Sequence, residues 1–259
     1  MDIIVVANGC ADDTAEVASS FGPAVRVLTL PVASKSEAVT AGDRAATSFP
    51  RIYVDADVEL GAHDIRALTA ALREPGVLAA APRRELFLAG RPWRVRWYYD
   101  VWMLLPGVQR GLWGRGAIAV NEAGHRRLAG LPTLQADDLA ASLAFESHEI
   151  AVVPGAQVTV HPPRKLADLV SRRARCVTGV AQIERTQQLD ASADRTRVAD
   201  LTAIIRRRPA MLPRVGYFLT VAVLARLRSS RARARGDYST WLRDESSRAL
   251  AANPADLPR

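Results

Sequence analysis

Short apolar runs alternate with helix-like stretches through the first sixty residues of the chain. Residues 3–6 read as a buried strand that ends in the turn-like Asn8-Gly9, and residues 25–28 and 51–54 read as two more strands. Between them, residues 14–20 form a helix capped by Asp12 or Asp13 with Glu16 in its first turns, and residues 35–46 form another. A β-α-β-α-β order implies an α/β fold with a mostly parallel sheet, right-handed crossovers and flanking helices. Ligands of such sheets bind beyond the carboxyl ends of the strands. Asn8, Asp12, Asp55 and Asp57 all fall at that edge.

Further along, the pattern predicts a helix at 65–73, a strand at 77–81 and a strand at 117–120. Asn121 caps a helix through Leu128 that ends at Gly130-Leu131-Pro132, and residues 139–145 are helical. Strand-like runs at 150–153 and 158–160 precede a long arginine-rich helix from 166 to about 189. Residues 1–190 are expected to form the main domain, and residues 191–259 a helical basic tail, most of it following Arg206.

The candidate chemistry lies in acidic pairs. Residues i and i+2 project to one side of an extended chain, so Asp55 and Asp57 can face one target. Two nearby carboxylates repel unless a cation lies between them, and hard oxygen ligands suit Mg²⁺ or Mn²⁺ on a diphosphate. A plain strand end or turn gives the same triplet. Asp137-Asp138 opens a helix, where the dipole alone favours acids, although one carboxylate in that place also suits a general base. The Gly111–Gly116 segment is a glycine-rich turn whose backbone can approach a ligand closely. The aromatic stretch at 91–107 reads as packing rather than a sugar platform.

Composition sharpens this picture in two ways. Apolar content of 49% and charged content of 24% describe a globular protein, and Cys10 and Cys176 offer neither a disulfide framework nor a metal cluster. The formal charge of +8 is an arginine charge, because Lys35 and Lys165 are the only lysines. Arginines crowd the C-terminal part and favour phosphates or an anionic membrane surface. They lack interleaved aromatics or any recognition motif, so no nucleic acid is expected as a partner. No signal peptide is expected, and no run is expected to reach the about 20 apolar residues of a membrane span. Residues 215–225, flanked by Arg214, Arg226 and Arg228, suit either a membrane interface or a helix packed on the body.

In order, these pieces resemble the family 2 glycosyltransferases with the GT-A fold, over roughly residues 3–185. Val5-Val6-Ala7-Asn8-Gly9-Cys10-Ala11-Asp12-Asp13-Thr14 is similar to the family's Val-Val-Asp-Asp-Gly-Ser-x-Asp-x-Thr segment. Residues 34–42 resemble its Gly-Lys-x-x-Ala-Leu-Asn-x-Gly segment, and Asp55-Ala56-Asp57 matches its Asp-x-Asp motif. Asp137-Asp138 falls where the family has paired acids, and Arg172-Arg173-Ala174-Arg175 loosely fills the place of Gln-x-x-Arg-Trp.

The resemblance implies an inverting enzyme of the hexosyltransferase type. It would move a sugar from a nucleoside diphosphate sugar to a hydroxyl acceptor, with lipid-linked and cell-envelope acceptors among those the family uses. It further implies Mn²⁺ or Mg²⁺ on Asp57 with Asp55, a base at Asp138 beside Asp137, and donor contacts from Asn8, Asp12, Lys35, Asp55, Arg172 and Arg175. Trp113 and Gly114 would face the acceptor. A cytoplasmic location follows, with peripheral attachment to the inner face of the membrane.

The departures are specific. The family pattern has one strand before the first strand here, Ala7 replaces a carboxylate and Thr40 an asparagine. A strand supplied by upstream coding sequence would complete the sheet; a degenerate relative without activity is the other reading. A haloacid dehalogenase-like phosphatase also uses Asp-x-Asp after a strand, but that class needs a cation, usually Lys, before its later acids, and no lysine lies between Asp57 and Asp137.

Overall fold

The computed structural model describes residues 1–131, 137–186 and 196–234. Strand β1 (Ile3–Asn8), helix α1 (Thr14–Ser19), strand β2 (Val25–Leu30), helix α2 (Lys35–Ala45) and strand β3 (Arg51–Val54) open the chain. Helix α3 (Ala62–Ala71), strand β4 (Ala79–Leu86), helices α4 (Trp93–Trp102) and α5 (Pro106–Arg110) and strand β5 (Ala117–Val120) follow. Then come α6 (Glu122–Ala129), α7 (Asp137–Leu143), β6 (Ile150–Val160), α8 (Leu166–Thr186), α9 (Val198–Arg207) and α10 (Leu212–Ala234).

The α/β class with parallel strand pairs and flanking helices stands, but the sheet is divided. β1 and β2 pair in parallel from Ile3–Val25 to Asn8–Leu30. β3 does not join them. It pairs antiparallel with β5 in a second sheet of order β3-β5-β4-β6, in which β4 runs antiparallel to β5 and parallel to β6. Among the described residues β1 has β2 as its one ladder partner and β3 has β5, so the break lies between β1 and β3.

Among the described residues, buried clusters line both faces of the second sheet and surround α4. Ala79, Ala80 and Ala81 are fully buried, and their alternation serves both faces of the second sheet. Ala80 packs with Leu68 and Leu72, while Ala79 and Ala81 pack with Leu112, Val120 and Phe145. The core around α4 is aromatic. Val95, Tyr98, Val101 and Trp102 of α4 meet Leu169 of α8, Ile204 of α9 and Phe218 of α10. Tyr98 stacks on Phe218 with ring centroids 4.9 Å apart. Each such buried side chain contributes roughly 1.5–3 kcal/mol, so Tyr98, Tyr99 and Trp102 of the 91–107 stretch are packing, as its sequence predicts, while Trp93 stays exposed.

Helix α10 lies on α4 and α8, and Arg214 pairs with Asp100 at 3.1 Å. Residues 201–221, assigned to the tail by sequence, therefore contribute to the aromatic core. The boundary at 190, the expected end of α8 near 189 and residues 235–259 lie outside the described residues. Contrary to the sequence expectation, Pro209–Arg231 is long and apolar enough to cross a membrane by length and composition. The arginines stand at the ends of that span and so leave its middle apolar.

Candidate active site

The carboxyl ends of β1 and β3 and the start of α7 meet around one ammonium. Asn8 ends β1, and its Oδ1 accepts a hydrogen bond from the Ser34 N–H at 3.0 Å. Gly9 has φ 61°, and a Cβ there would stand 2.5 Å from the backbone nitrogen of Ala33, so only glycine lets these segments approach so closely. Ser34 caps α2, its side chain accepting from the Glu37 N–H at 3.3 Å. The approach places Lys35 at the crevice. Its Nζ lies 3.0 Å from Asp55 Oδ1 and 3.4 Å from Asp138 Oδ1. All three side chains are about one-third exposed, at 38%, 36% and 35%. Burial raises the proton affinity of Asp55; Lys35 opposes this, while Asp138 and then Asp57 add to it.

Asp55 and Asp57 do not share an extended segment. β3 ends at Val54, and the chain turns at once, with the Val58 N–H donating to Asp55 O at 3.1 Å. Asp57 is exposed on that turn. Asp12 accepts from the Thr14 N–H at 3.2 Å and from the Thr14 hydroxyl, which fixes the turn into α1. Asp13 is the cap position by backbone, without a side-chain cap bond. Asp137 opens α7, but its side chain lies outside the described residues.

Arg172 and Arg175 lie three residues apart on α8, and both are half-buried. Trp113 packs edge-on to Trp102 with centroids 5.8 Å apart, and Gly114 has φ 64°. Arg84 of β4 reaches into the same loop. It donates from Nε to Gly114 O at 2.7 Å and from Nη2 to Trp113 O at 2.6 Å. Burial lowers its pKa to about 9, aided by the charges of Arg115 and Arg172, while Asp138 raises it. Arg172, Arg84 and Asp138 thus share one electrostatic neighbourhood.

The model of the glycosyl transferase family 2 matches residues 1–128. That segment belongs to glycosyl transferase family 2. No curated protein matches the chain. Two solved structures of glucosyl-3-phosphoglycerate synthase from Mycobacterium tuberculosis, each 21% identical, cover 73% of this chain. The shares of the synthase chain are 69% and 70%, each at a TM-score of 0.50. One is in complex with Mn²⁺, UDP-glucose and phosphoglyceric acid, and the other with Mn²⁺, UDP-glucose and glycerol 3-phosphate. The family match over residues 1–128 favours a glycosyltransferase over the phosphatase reading.

Asp55 and Asp57, the two carboxylates read as metal ligands, are hard oxygen donors of the kind that suit a divalent cation. Asp55 already sits beside a positive charge, that of Lys35. No cluster of three or more His, Cys, Asp or Glu forms a ready metal cage among the described residues. Two carboxylates with water and phosphate oxygens are the usual arrangement for Mg²⁺ and its analogues.

Three residues at this site escape a reading of the sequence. Arg84 and Arg115 look like surface charges in a chain rich in arginine. His161, just past β6, is held below its usual pKa by burial and by Arg91, while Glu59 and Asp57 pull it back up. The signal for His161 is faint: a histidine between a strand and Pro162-Pro163.

Proposed function

We propose that this chain transfers a sugar from a nucleoside diphosphate sugar to a hydroxyl acceptor carrying an anionic group, with inversion at the anomeric carbon. The observation that carries the reading is the Lys35 ammonium, which gathers Asp55 from the end of β3 and Asp138 from the start of α7 into one accessible cluster. Asp57 and Asp55 would hold Mn²⁺ or Mg²⁺, with the neutral imidazole of His161 on the Asp57 side. When bound, the cation offsets the charge that builds on the leaving diphosphate. Lys35 faces the donor phosphates, and Asn8 and Asp12 at the end of β1 line the nucleotide side. Asp138 takes the proton of the attacking hydroxyl as the new glycosidic bond forms and the bond to the diphosphate breaks. Asp137 stands next to it in sequence.

Trp113 and Gly114 face the acceptor. Arg172 and Arg175 supply guanidinium forks suited to phosphate or carboxylate oxygens. The anionic acceptor is supported by the positive field of Arg84, Arg115 and Arg172 and by the acceptors named for the mycobacterial synthase. Incubation with UDP-glucose, Mn²⁺ and glycerol 3-phosphate or 3-phosphoglycerate, followed by mass analysis, tests the reading. Asp138→Asn should slow transfer by about 10²–10⁴-fold and leave UDP affinity unchanged. An Asp138→Asn enzyme as fast as wild type removes the base from the scheme.

A membrane-facing role belongs to α10. Leu212, Leu219, Val223, Leu224 and Leu227 are exposed, each by more than two-fifths, beside the exposed Arg226 and Arg228. An apolar stripe flanked by arginines suits the interface of an anionic bilayer. That surface would bring the site to a lipid-linked acceptor bearing a phosphate.

A further inference from the structure

Arg84 and Arg115 are 4% and 2% exposed, and every hydrogen bond described for their guanidinium groups ends on a backbone carbonyl. Arg84 takes the carbonyls of Val108, Trp113 and Gly114, and its guanidinium lies 4.6 Å from the centre of the Trp102 ring. Arg115 takes those of Gly111 at 2.8 Å, Gln109 at 2.7 Å, Val108 at 3.3 Å and Pro82 at 3.0 Å. Buried charge is costly unless its partners are good, and apolar side chains of like volume often serve stability as well. Two guanidinium groups sharing the Val108 carbonyl therefore call for an explanation beyond packing.

The loop they grip is wired to both halves of the acidic cluster. At one end the Asp55 N–H donates to Gly116 O at 2.7 Å. Gly116 has φ 67°, and a Cβ there would stand 2.3 Å from Val58 Cγ2, so the loop sits directly against the Asp55 turn. At the other end the Leu112 N–H donates to Ser142 Oγ at 3.1 Å, one turn along α7 from Asp138. Leu112 and Trp113 anchor the loop by packing, while Gly111, Gly114 and Gly116 leave its backbone free to turn. Carbonyls turned onto the two arginines hold that backbone in its turn.

We propose that Arg84 and Arg115 are positioning residues of the transfer reaction: by holding the end of α5 and the 111–116 loop through their carbonyls, they fix Asp55 and helix α7 relative to each other. The assignment rests on Asp55 and Asp138 forming the reacting end of the site, as proposed above. It makes the loop a brace between the donor side and the base.

Hydrogen exchange on wild type, Arg84→Lys, Arg84→Met and Arg115→Met tests the brace without any substrate. Exchange in the 108–116 segment should rise about tenfold in the Met variants, with segments 53–58 and 137–143 rising alongside. Residues 198–207 and 212–234 should stay at the wild-type rate. A rise spread evenly over the chain, or none at 53–58 and 137–143, overturns the assignment. Should the Met variants fail to fold, Ser142→Ala cuts one wire with both arginines kept; it should loosen 137–143 and spare 53–58, and an unchanged 137–143 counts against the brace. In a kinetic arm with UDP-glucose and glycerol 3-phosphate, Arg84→Lys should lower kcat about 100-fold with the donor KM within about twofold. A donor KM that rises as much as kcat falls marks a general loss of structure. A wild type without transfer defeats the proposed acceptor reading, while the exchange result still decides the brace.

Discussion

At the scale of single residues, the environment of Asp55 works against its own charge. Burial raises its pKa above the ordinary carboxylate value, Lys35 opposes this, and Asp138 and Asp57 reinforce it. An acid with a raised folded-state pKa is penalised in its ionised form. The penalty is absent below the unfolded value of about 4 and complete once pH exceeds the folded value. Asp55→Asn should therefore raise the melting temperature at pH 7.5 and not at pH 3.5, while transfer is lost. The side chain is 36% exposed, so screening holds the gain below about 1 kcal/mol, or ~2–4 °C. A lower melting point at pH 7.5 would show that the Lys35 bridge outweighs desolvation. Lys35, Asp55 and Asp138 are legible in the sequence because each stands at an element's end, where charge is expected and convergence can be argued. Arg84 and Arg115 are not, because a buried arginine satisfied by carbonyls has the same sequence signature as an exposed one.

At the scale of elements, the strands at Arg51–Val54 and Ala117–Val120 and the Asn121 cap emerge as the pattern predicts, with the Asn121 side chain accepting from the Gly124 N–H. β4 runs Ala79–Leu86 rather than 77–81, because Arg83, Arg84 and Glu85 look like a strand's end until Arg84 is seen buried. β6 is continuous through Pro154-Gly155, which read as a break; the ladder absorbs them as an irregularity between Pro82 and Arg83. Asp64 ties α3 to this irregular segment. It accepts from the Gly61 N–H at 2.9 Å and the Gln157 N–H at 3.0 Å. Its pKa is lowered: burial acts upward, and the Gln157 and Gly61 bonds outweigh it. Such stability is present above the unfolded value and lost as pH falls through the folded one. Asp64→Ala should cost about 1–2 kcal/mol at pH 7 by urea unfolding and almost nothing near pH 2. On α10, Phe218→Ala should cost about 3–5 kcal/mol, since the ring is buried against Tyr98. Val223→Asp should leave stability within about 0.5 kcal/mol and abolish sedimentation with phosphatidylglycerol vesicles. Undiminished sedimentation would leave the leucine stripe without a membrane role.

At the scale of the molecule, one sheet became two, and this was the part of the fold least available from local pattern. Periodicity identifies a strand but not its neighbour, and β1 and β3 lie in separate ladders with α2 between them in sequence. The crevice survives the break because Lys35 spans it, reaching Asp55 on the β3 side from the start of α2. The charge of +8 is consistent with anionic substrates and an anionic surface, while the cluster itself locates the chemistry. Calorimetric titration of UDP and GDP into wild type and Asp57→Ala, each with and without Mn²⁺, tests that claim most directly. The account predicts that wild type binds one of these nucleotides, and that removing the metal or the Asp57 carboxylate weakens binding about tenfold or more, ~1.4 kcal/mol. Wild type that binds neither nucleotide, or binds one equally well without Mn²⁺ and without Asp57, would contradict it.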